Sequence, residues 1–225
     1  MPIPKKVNKK FFKIWTSEMA YVLGFFAADG YITVNKRGGQ FWCIDITDKK
    51  LLEDIKKTIQ AEHKIGTRLS TRPKEKNSYR LQIGSIEMCN DLRKLGFSQK
   101  KTKNLVIPYI LKEYFSSFVR GYFDGDGNVW MGIMHKERKT KTHVVFTAFT
   151  SCSLSFLRDL KVRLREFGIE GGSLYSHKTR GFSRLQFSTV STLKLYNFMY
   201  NELSTSKLFL KRKKDVFERY KKMRL

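Results

Sequence analysis

The sequence predicts an α+β fold made of two pseudo-symmetric halves, each in the order helix, two strands, helix, two strands, helix. A repeat is the main observation: the segment Tyr21 to Gly30 is matched by Phe118 to Gly127, and the second Asp-Gly lies 97 positions (126 − 29) after the first. Strand-like segments with period-2 alternation follow each copy. A repeat of about 100 residues is too long for a solenoid and indicates a duplicated domain with pseudo-two-fold symmetry.

In the first half, Thr16 or Ser17 can cap a helix over about 17–30, and the strand Tyr31–Val34 follows. A second helix, opened by Asp48, has apolar positions that recur with helical spacing. These positions are Leu51, Leu52, Ile55 and Ile59. Further on, Leu69, Leu81 and Ile83 alternate with polar residues, which predicts two strands with one face toward a core.

A polar connector over about 98–112, where Pro108 can begin a new element, divides the chain into repeats 1–108 and 109–225. In the second half, Ser116 or Ser117 can cap a helix over about 116–127, and Ser153 opens the next helix. The segment Arg184 to Phe187 echoes Arg80 to Ile83. Each half is too small for a robust core of its own, so we expect one compact unit.

The composition combines a core with a large positive charge. Hydrophobic residues are 41% and aromatic residues 14% of the 225 residues, whereas 45 Lys and Arg against 20 Asp and Glu give a net charge of +25. A polyanion must neutralise such an excess, and nucleic acid is the leading partner because each phosphate contact releases counterions. No apolar run is long enough to span a bilayer, so a membrane partner is not expected.

The cysteines favour a reducing compartment. Cys43, Cys89 and Cys152 are far apart and form no CxxC pair, and the four histidines are not spaced to complete a zinc site with them. No signal-peptide core follows Met1. We therefore expect an intracellular protein, in an organelle or a prokaryotic cytoplasm.

The two repeated helices carry small residues four positions apart, which lets two backbones approach closely. These residues are Ala20, Gly24 and Ala28 in the first helix and Ser117, Gly121 and Gly125 in the second. Glycine inside a helix costs about 1 kcal/mol relative to alanine, so mutual packing would explain why two glycines are tolerated there.

Each of these helices ends in Asp-Gly, in which the glycine can take positive φ as the chain turns into a strand. Aspartate is unfavourable there, because the last turn of a helix carries partial negative charge. Parallel packing would bring Asp29 and Asp126 together, and the repulsion would favour a bound cation such as Mg²⁺ for metal-assisted phosphodiester hydrolysis. A single Asp-Gly is more often an ordinary turn, but two copies in register favour the site.

The two segments, VLGFFAADG from Val22 and VRGYFDGDG from Val119, resemble the paired motifs of the LAGLIDADG homing endonucleases of the two-motif, single-chain type. The resemblance implies a central pair of packed motif helices and two four-stranded antiparallel sheets that form a saddle over DNA. It also implies an intron-encoded, monomeric endonuclease that makes a staggered double-strand break at a long asymmetric site. Arg120 and Ala27 depart from the motif, and Asp124, which matches Ala27, is expected to have a packing or capping role.

By the same resemblance, Asp29 and Asp126 hold the metal, with the main-chain oxygens of Ala28 and Gly125 as further ligands. Mg²⁺ is the expected ion, Mn²⁺ is expected to replace it, and Ca²⁺ is expected to bind without efficient cleavage. The family also places a catalytic lysine near the cleaved phosphate, in the loop after the second helix of each half. In the first half Lys101 is the best match, with Lys100 next; in the second half it is Lys207, with Lys211 and Arg212 as alternatives.

The strand residues opposite the core face are expected to contact double-stranded DNA. They are Arg68, Ser70, Arg72, Arg80 and Gln82 in the first half, and Ser173, Tyr175, His177, Arg184 and Gln186 in the second. Arginine and glutamine can make paired hydrogen bonds to guanine and adenine in the major groove. A solvated sheet face would show the same alternation.

Three other functions remain open. Some members of the family assist splicing of their own intron RNA as maturases, and a regulator could use the fold only to bind DNA. Asp45 with Glu62, His63 and Lys64 imitates the D…ExK site of another nuclease class, but it has no counterpart in the second half.

Overall fold

The computed structural model describes residues 5–71, 76–99, 104–135, 137, 139–177, 179–200 and 207–224. The first half contains α1 (Ser17–Asp29), β1 (Gly30–Val34), β2 (Gln40–Ile46), α2 (Lys49–Thr58), β3 (Ile65–Arg68), β4 (Ser78–Gly84) and α3 (Ile86–Lys94). The second half contains a 3₁₀ turn (Lys112–Tyr114), α4 (Phe115–Asp126), β5 (Gly127–Met134), β6 (Thr142–Ser151), α5 (Leu154–Arg165), β7 (Ser173–His177), β8 (Phe182–Phe187), α6 (Thr189–Tyr200) and α7 (Lys211–Lys222).

Each half forms a four-stranded antiparallel sheet with the same strand order. The first sheet is ordered β1-β2-β4-β3 and the second β5-β6-β8-β7. The identical order confirms the predicted α+β fold and the duplication. The strand that follows each motif helix lies at an edge of its sheet, so α1 and α4 lead directly into equivalent edges.

Side-chain caps begin most of the helices as their sequences predict. The Thr16 hydroxyl accepts a hydrogen bond from the Met19 N–H, and Asp48 and Ser153 cap α2 and α5 in the same way. The predicted cap of α4 is wrong: this helix begins at Phe115, directly after the 3₁₀ turn, without a side-chain cap. Because the helix begins two residues earlier, Ser117 lies inside it and is buried.

The helices α1 and α4 pack in parallel with their backbones in contact. A Cβ on Gly24 would stand 2.0 Å from the Phe118 carbonyl oxygen, and a Cβ on Gly121 would stand 2.0 Å from the Tyr21 carbonyl oxygen. Toward the C-termini, a Cβ on Gly125 would stand 2.4 Å from the Cβ of Ala28. The predicted small-residue contact is therefore present, and only glycine fits at its two central positions.

The glycines after the motif helices have a different role from the predicted one. Gly30 and Gly127 have φ of −89° and −87°, an extended conformation that any residue adopts. A Cβ on Gly30 would stand 2.1 Å from the Phe26 ring, and a Cβ on Gly127 would stand 2.3 Å from the Phe123 ring. Close approach of an aromatic ring, and not positive φ, requires glycine at both positions.

The inner faces of the sheets pack against the helices, and the predicted core positions Leu81, Ile83, Leu185 and Phe187 are buried. Leu69 is an exception. It is 71% exposed because β3 ends at Arg68, so the period-2 pattern no longer applies to Leu69.

The helix α7 extends the second half beyond the predicted elements. Its Phe217 packs against Phe123 of α4 at a ring separation of 5.8 Å, and the Tyr220 hydroxyl donates to the His143 carbonyl oxygen at 3.2 Å. A basic helix is thereby fixed against α4 and the second sheet. In the part of the chain that the structure describes, no helix is long and apolar enough to cross a membrane.

Candidate active site

The two motif helices end side by side, and each ends in an aspartate. The Oδ2 atom of Asp29 lies 3.0 Å from the point where a Cβ on Gly125 would stand, next to Asp126 in the chain. Asp126 is exposed and Asp29 is half-buried. Burial raises the pKa of Tyr122, and the charges of Asp126 and Asp29 raise it further. Both carboxylates are thus within electrostatic reach of one buried side chain.

Lys213 of α7 supplies a buried cation at the C-terminus of α4. Its Nζ donates to the carbonyl oxygens of Phe123 at 2.6 Å, Asp124 at 2.8 Å, Gly125 at 3.2 Å and Gly127 at 2.6 Å. These carbonyl groups lie at the negative end of the helix dipole, where a cation is favourable. Burial lowers the pKa of Lys213 to about 8, although the charges of Asp124, Asp29 and Asp126 act in the opposite direction.

Asp124 joins both motif helices to the start of α7. Its Oδ2 accepts hydrogen bonds from the Tyr21 hydroxyl at 2.7 Å and from the Leu210 N–H at 2.8 Å. Burial raises the pKa of Asp124 to about 6. The expected packing role of Asp124 is confirmed by these two hydrogen bonds. Arg120, the other unusual motif residue, donates to the Met199 carbonyl oxygen of α6 at 2.6 Å.

Two clefts open beside the carboxylates. One, of about 560 Å³, contains Asp126 together with Asn128, Arg184 and Lys213. The other, of about 230 Å³, contains Asp29 and Asp45. Arg212 lines both clefts and is exposed, so its guanidinium group is the basic group that the second half supplies to both sides of the site.

The other expected catalytic bases are placed as follows. Lys207 is exposed at the start of the segment that leads to α7. Lys211 pairs with Asp215 at 2.9 Å, and its side chain is 82% exposed. Lys100 and Lys101 lie outside the described residues. Of the three second-half candidates, Arg212 is therefore the one that the geometry favours.

In the first sheet, the predicted DNA-contacting residues Arg68, Arg80 and Gln82 lie on one face. The register pairs Gly66 with Arg80 and Arg68 with Ser78, so these alternate positions share that face. Ser70 follows the end of β3 and donates its N–H to Asn77, and Arg72 lies outside the described residues.

Arg80 is held by a carboxylate on the same face. Its Nε and Nη2 donate to the two carboxylate oxygens of Asp45 at 2.7 and 2.9 Å, and the Tyr31 hydroxyl donates to the same group at 3.1 Å. The pKa of Arg80 rises through this hydrogen bonding. In the D…ExK alternative, Asp45 is engaged by Arg80 and Glu62 accepts the Lys6 N–H.

The second sheet places its predicted residues on one face as well. Its register pairs Ser173 with Gln186, Tyr175 with Arg184 and His177 with Phe182. Thr150 stands opposite Arg184, where the first sheet has Asp45 opposite Arg80. Within the described residues, the buried Nε of Arg184 has no hydrogen-bond partner. The two equivalent arginines thus differ: Arg80 is paired with a carboxylate, whereas Arg184 stands opposite a threonine.

A model of the LAGLIDADG-like domain matches residues 16–96 and again 113–199, so both motif helices and both sheets are included. The chain belongs to the LAGLIDADG-like family. Asp29 and Asp126 are the acidic residues at the ends of the two motif helices that the family model matches.

Solved structures of LAGLIDADG proteins share this fold. I-SmaMI bound to uncleaved DNA with calcium ions is 11% identical, with a TM-score of 0.59 over 93% of this chain and 90% of that chain. The LAGLIDADG meganuclease I-AabMI bound to uncleaved DNA is 17% identical, with a TM-score of 0.58 over 90% of this chain and 88% of that chain.

A relative by sequence is a probable translation initiation factor IF-2 from Thermococcus kodakarensis. It is 37% identical over 75 residues, which are 32% of this chain. The chain spans only 6% of that protein's length. This local match carries no conclusion about the activity of the chain.

The donor set at the helix ends suits a hard cation. Among the described residues, no group of three or more His, Cys, Asp and Glu could hold a metal, so a soft, all-side-chain site is not formed there. Two carboxylates with main-chain oxygens and room for water and phosphate match what Mg²⁺ requires. The repeated Asp-Gly indicated these carboxylates in the sequence. Lys213 has no comparable sequence signal, because lysine in a basic helix is usually solvated.

Proposed function

We propose that this protein is a site-specific endonuclease that makes a metal-dependent, staggered double-strand break in a long, asymmetric DNA target. The observation that carries the proposal is the pair Asp29 and Asp126 at adjacent helix ends, each lining a cleft. The DNA complexes of structurally similar LAGLIDADG proteins support the choice of substrate.

Asp29 and Asp126, with the main-chain oxygen of Ala28, would hold the divalent ions, for which Mg²⁺ is the expected choice. The Gly125 oxygen, the other expected ligand, already accepts a hydrogen bond from Lys213 at 3.2 Å. Bound there, the ions would supply an activated water and stabilisation of the leaving oxygen at each strand. The carboxylates lie at two negative helix ends, which increases the local affinity for cations. Lys213 offsets part of the negative charge at the end of α4, from beneath the exposed site.

The protein's own basic groups would bind and orient the DNA. Arg212 faces both carboxylates, so its guanidinium group can contact the phosphate next to a scissile bond and stabilise charge that develops there. The sheet faces would lie along the groove, and the net charge of +25 would neutralise the backbone on either side.

The target would be asymmetric because the equivalent positions of the halves differ. Arg80 is held by Asp45, whereas Arg184 is opposite Thr150 and lines the cleft beside Asp126, where it would contact a guanine or phosphate. Since one chain supplies both halves, we expect a monomer to bind and cut the duplex.

The test starts from a randomised duplex pool, selected for binding in Ca²⁺ and then supplied with Mg²⁺. Asp29→Asn and Asp126→Asn should each reduce cleavage by several orders of magnitude while binding persists or tightens, since a negative charge that faces phosphate is removed. Asp54→Asn, at an exposed position on α2, is the matched control and should cut normally.

Cleavage by both Asn variants at the wild-type rate would refute the assignment of these carboxylates. Cleavage that persists in EDTA would refute the metal dependence. If the wild type enriched ligands from a parallel randomised RNA pool and none from the duplex pool, the maturase alternative would be favoured.

A further inference from the structure

The second sheet carries an aromatic and apolar patch on the same face as Arg184 and Gln186. We name it the Trp130 patch; it consists of Trp130, Gly132, Met134, Val144 and Phe146. The register pairs Trp130 with Phe146, Gly132 with Val144 and, nearer the carboxylates, Asn128 with Ala148. Ala148 in turn pairs with Gln186, so alternate residues continue one face from the polar groups into the patch.

Trp130 is exposed but held in place. Its indole is parallel to the Phe146 ring, with an interplanar angle of 4° and a centroid separation of 6.0 Å. A Cβ on Gly132 would stand 2.3 Å from Cζ2 of Trp130, so the indole occupies the space above this glycine. The side chain is nevertheless 51% exposed, and Met134 beside it is 39% exposed. A rigid apolar surface is thus presented without a cover from the described residues.

An apolar surface at the β5 edge of a sheet face that would lie along the groove requires an apolar counterpart on DNA. In the major groove the exposed apolar group on a base edge is the C5 methyl of thymine, and the other edge groups are hydrogen-bond donors and acceptors. Burial of a methyl group against an aromatic ring removes apolar area of both partners from water. The patch therefore complements thymine better than any other base.

The first sheet has no such surface at the equivalent place. There Thr33 stands opposite Phe41, as Trp130 stands opposite Phe146. Thr33 is polar and half-buried, so the first half offers a hydroxyl where the second offers an indole. The difference provides a matched control within one chain.

We propose that the Trp130 patch reads thymine methyl groups, so that the half-site bound by the second sheet is rich in A·T pairs at the bases that face β5 and β6. This inference rests on the proposed function, since it assigns specificity to the same DNA-binding face. Trp130 acts here as a specificity residue and takes no part in the chemistry at Asp29 and Asp126.

The experiment replaces thymine by deoxyuridine, which removes the methyl group and keeps the base-pairing edge. A target is first selected from a randomised duplex pool in Ca²⁺ with the wild type, with Trp130→Ala and with Thr33→Ala. Thymines enriched by the wild type and by Thr33→Ala, but not by Trp130→Ala, are then replaced by deoxyuridine. The wild type should lose about fourfold in affinity per contacted methyl group. Trp130→Ala should bind the two duplexes equally, whereas Trp130→Leu should keep part of the discrimination.

Deoxyuridine in the other half-site should change wild-type affinity by less than about twofold. If a target is selected and cut but its deoxyuridine form binds the wild type equally well, the inference is wrong and the proposed function stands. If Trp130→Ala weakens binding of a single-stranded probe more than of the duplex, the patch stacks on unpaired bases and the inference is again wrong. If no duplex is enriched at all, the proposed function and the inference fall together.

Discussion

Gly24→Ala tests the helix contact on which the whole site depends. The new Cβ would stand 2.0 Å from the Phe118 carbonyl oxygen and 2.9 Å from the Tyr122 backbone nitrogen. Ordinary contact begins at 3.4 Å, so the helices must separate by about 1.4 Å (3.4 − 2.0) at this point. Neither obstructing atom is a flexible side-chain end, and the cost of such overpacking is about 3 kcal/mol.

Helix propensity acts in the opposite direction. Alanine is favoured over glycine inside a helix by about 1 kcal/mol, so the substitution should destabilise by about 2 kcal/mol net. For a chain of this size the melting temperature should then fall by about 4–8 °C. Because the separation also moves Asp29 away from Asp126, cleavage should fall at temperatures where the variant remains folded.

The measurement is thermal unfolding by circular dichroism, together with cleavage of the selected target. Gly66→Ala is the control, since its Cβ would meet nothing closer than the Arg80 carbonyl oxygen at 3.9 Å. If Gly24→Ala instead melts higher than the wild type, as propensity alone predicts, the contact does not constrain the helices and the reasoning is refuted. The double variant with Gly121→Ala should cost less than the sum of the single variants, because one substitution already separates the helices.

Three further outcomes are expected. Affinity for the selected duplex should fall by orders of magnitude between about 50 and 200 mM salt, as filter binding would show, and a flat response would contradict the phosphate contacts. Lys213→Met should destabilise the fold by about 3 kcal/mol in urea unfolding, since four carbonyl groups lose a charged donor. Lys214→Met, the control, should have little effect. Equal effects of the two substitutions would exclude the capping role of Lys213. Burial, with Lys5 and Lys56 nearby, lowers the pKa of His63 below 6.5 in the folded protein. The imidazole therefore binds a proton more readily in the unfolded chain, and the stability of the fold should decrease as the pH falls through 6.5. His63→Gln should reduce this slope in urea unfolding at several pH values, and an unchanged slope would show that His63 does not cause it.

The repeat allowed most of the fold to be predicted. The small-residue stripe and the period-2 alternation agreed with one duplicated unit and indicated the helix pairing, the family resemblance implied the four-stranded antiparallel sheets, and the strand order came only from the structure. The helix α7 was missed because it lies beyond the last predicted element and its sequence is dominated by charge. Its apolar residues Phe217 and Tyr220 are three positions apart and face the core, which was the signal available.

The candidate site was predictable only in part, for a physical reason. Each acidic residue ends a helix whose partner could be recognised, so Asp29 and Asp126 were found from local pattern alone. The basic segments are held by contacts that cross long stretches of sequence: the Ser153 hydroxyl donates to the Leu105 carbonyl oxygen of the connector, and the Leu210 N–H donates to Asp124 of α4. Such crossings have no periodic signature, and several lysines and arginines stand close together in each segment.

Under the proposed function, the departures from symmetry would let one chain read an asymmetric site. Asp124 and Tyr21 form a buried hydrogen bond, and their equivalents, Ala27 and Phe118 (124 − 97 and 21 + 97), cannot. An aspartate at both positions would place a second buried carboxylate at the helix contact, with a further desolvation cost. A symmetric dimer must repeat every such choice in both copies. A fused chain need not, so one polar link can attach α7 while the opposite position stays apolar. The same freedom lets Arg80 be neutralised while Arg184 is not, and lets Thr33 and Trp130 meet different bases at equivalent places on the two sheets.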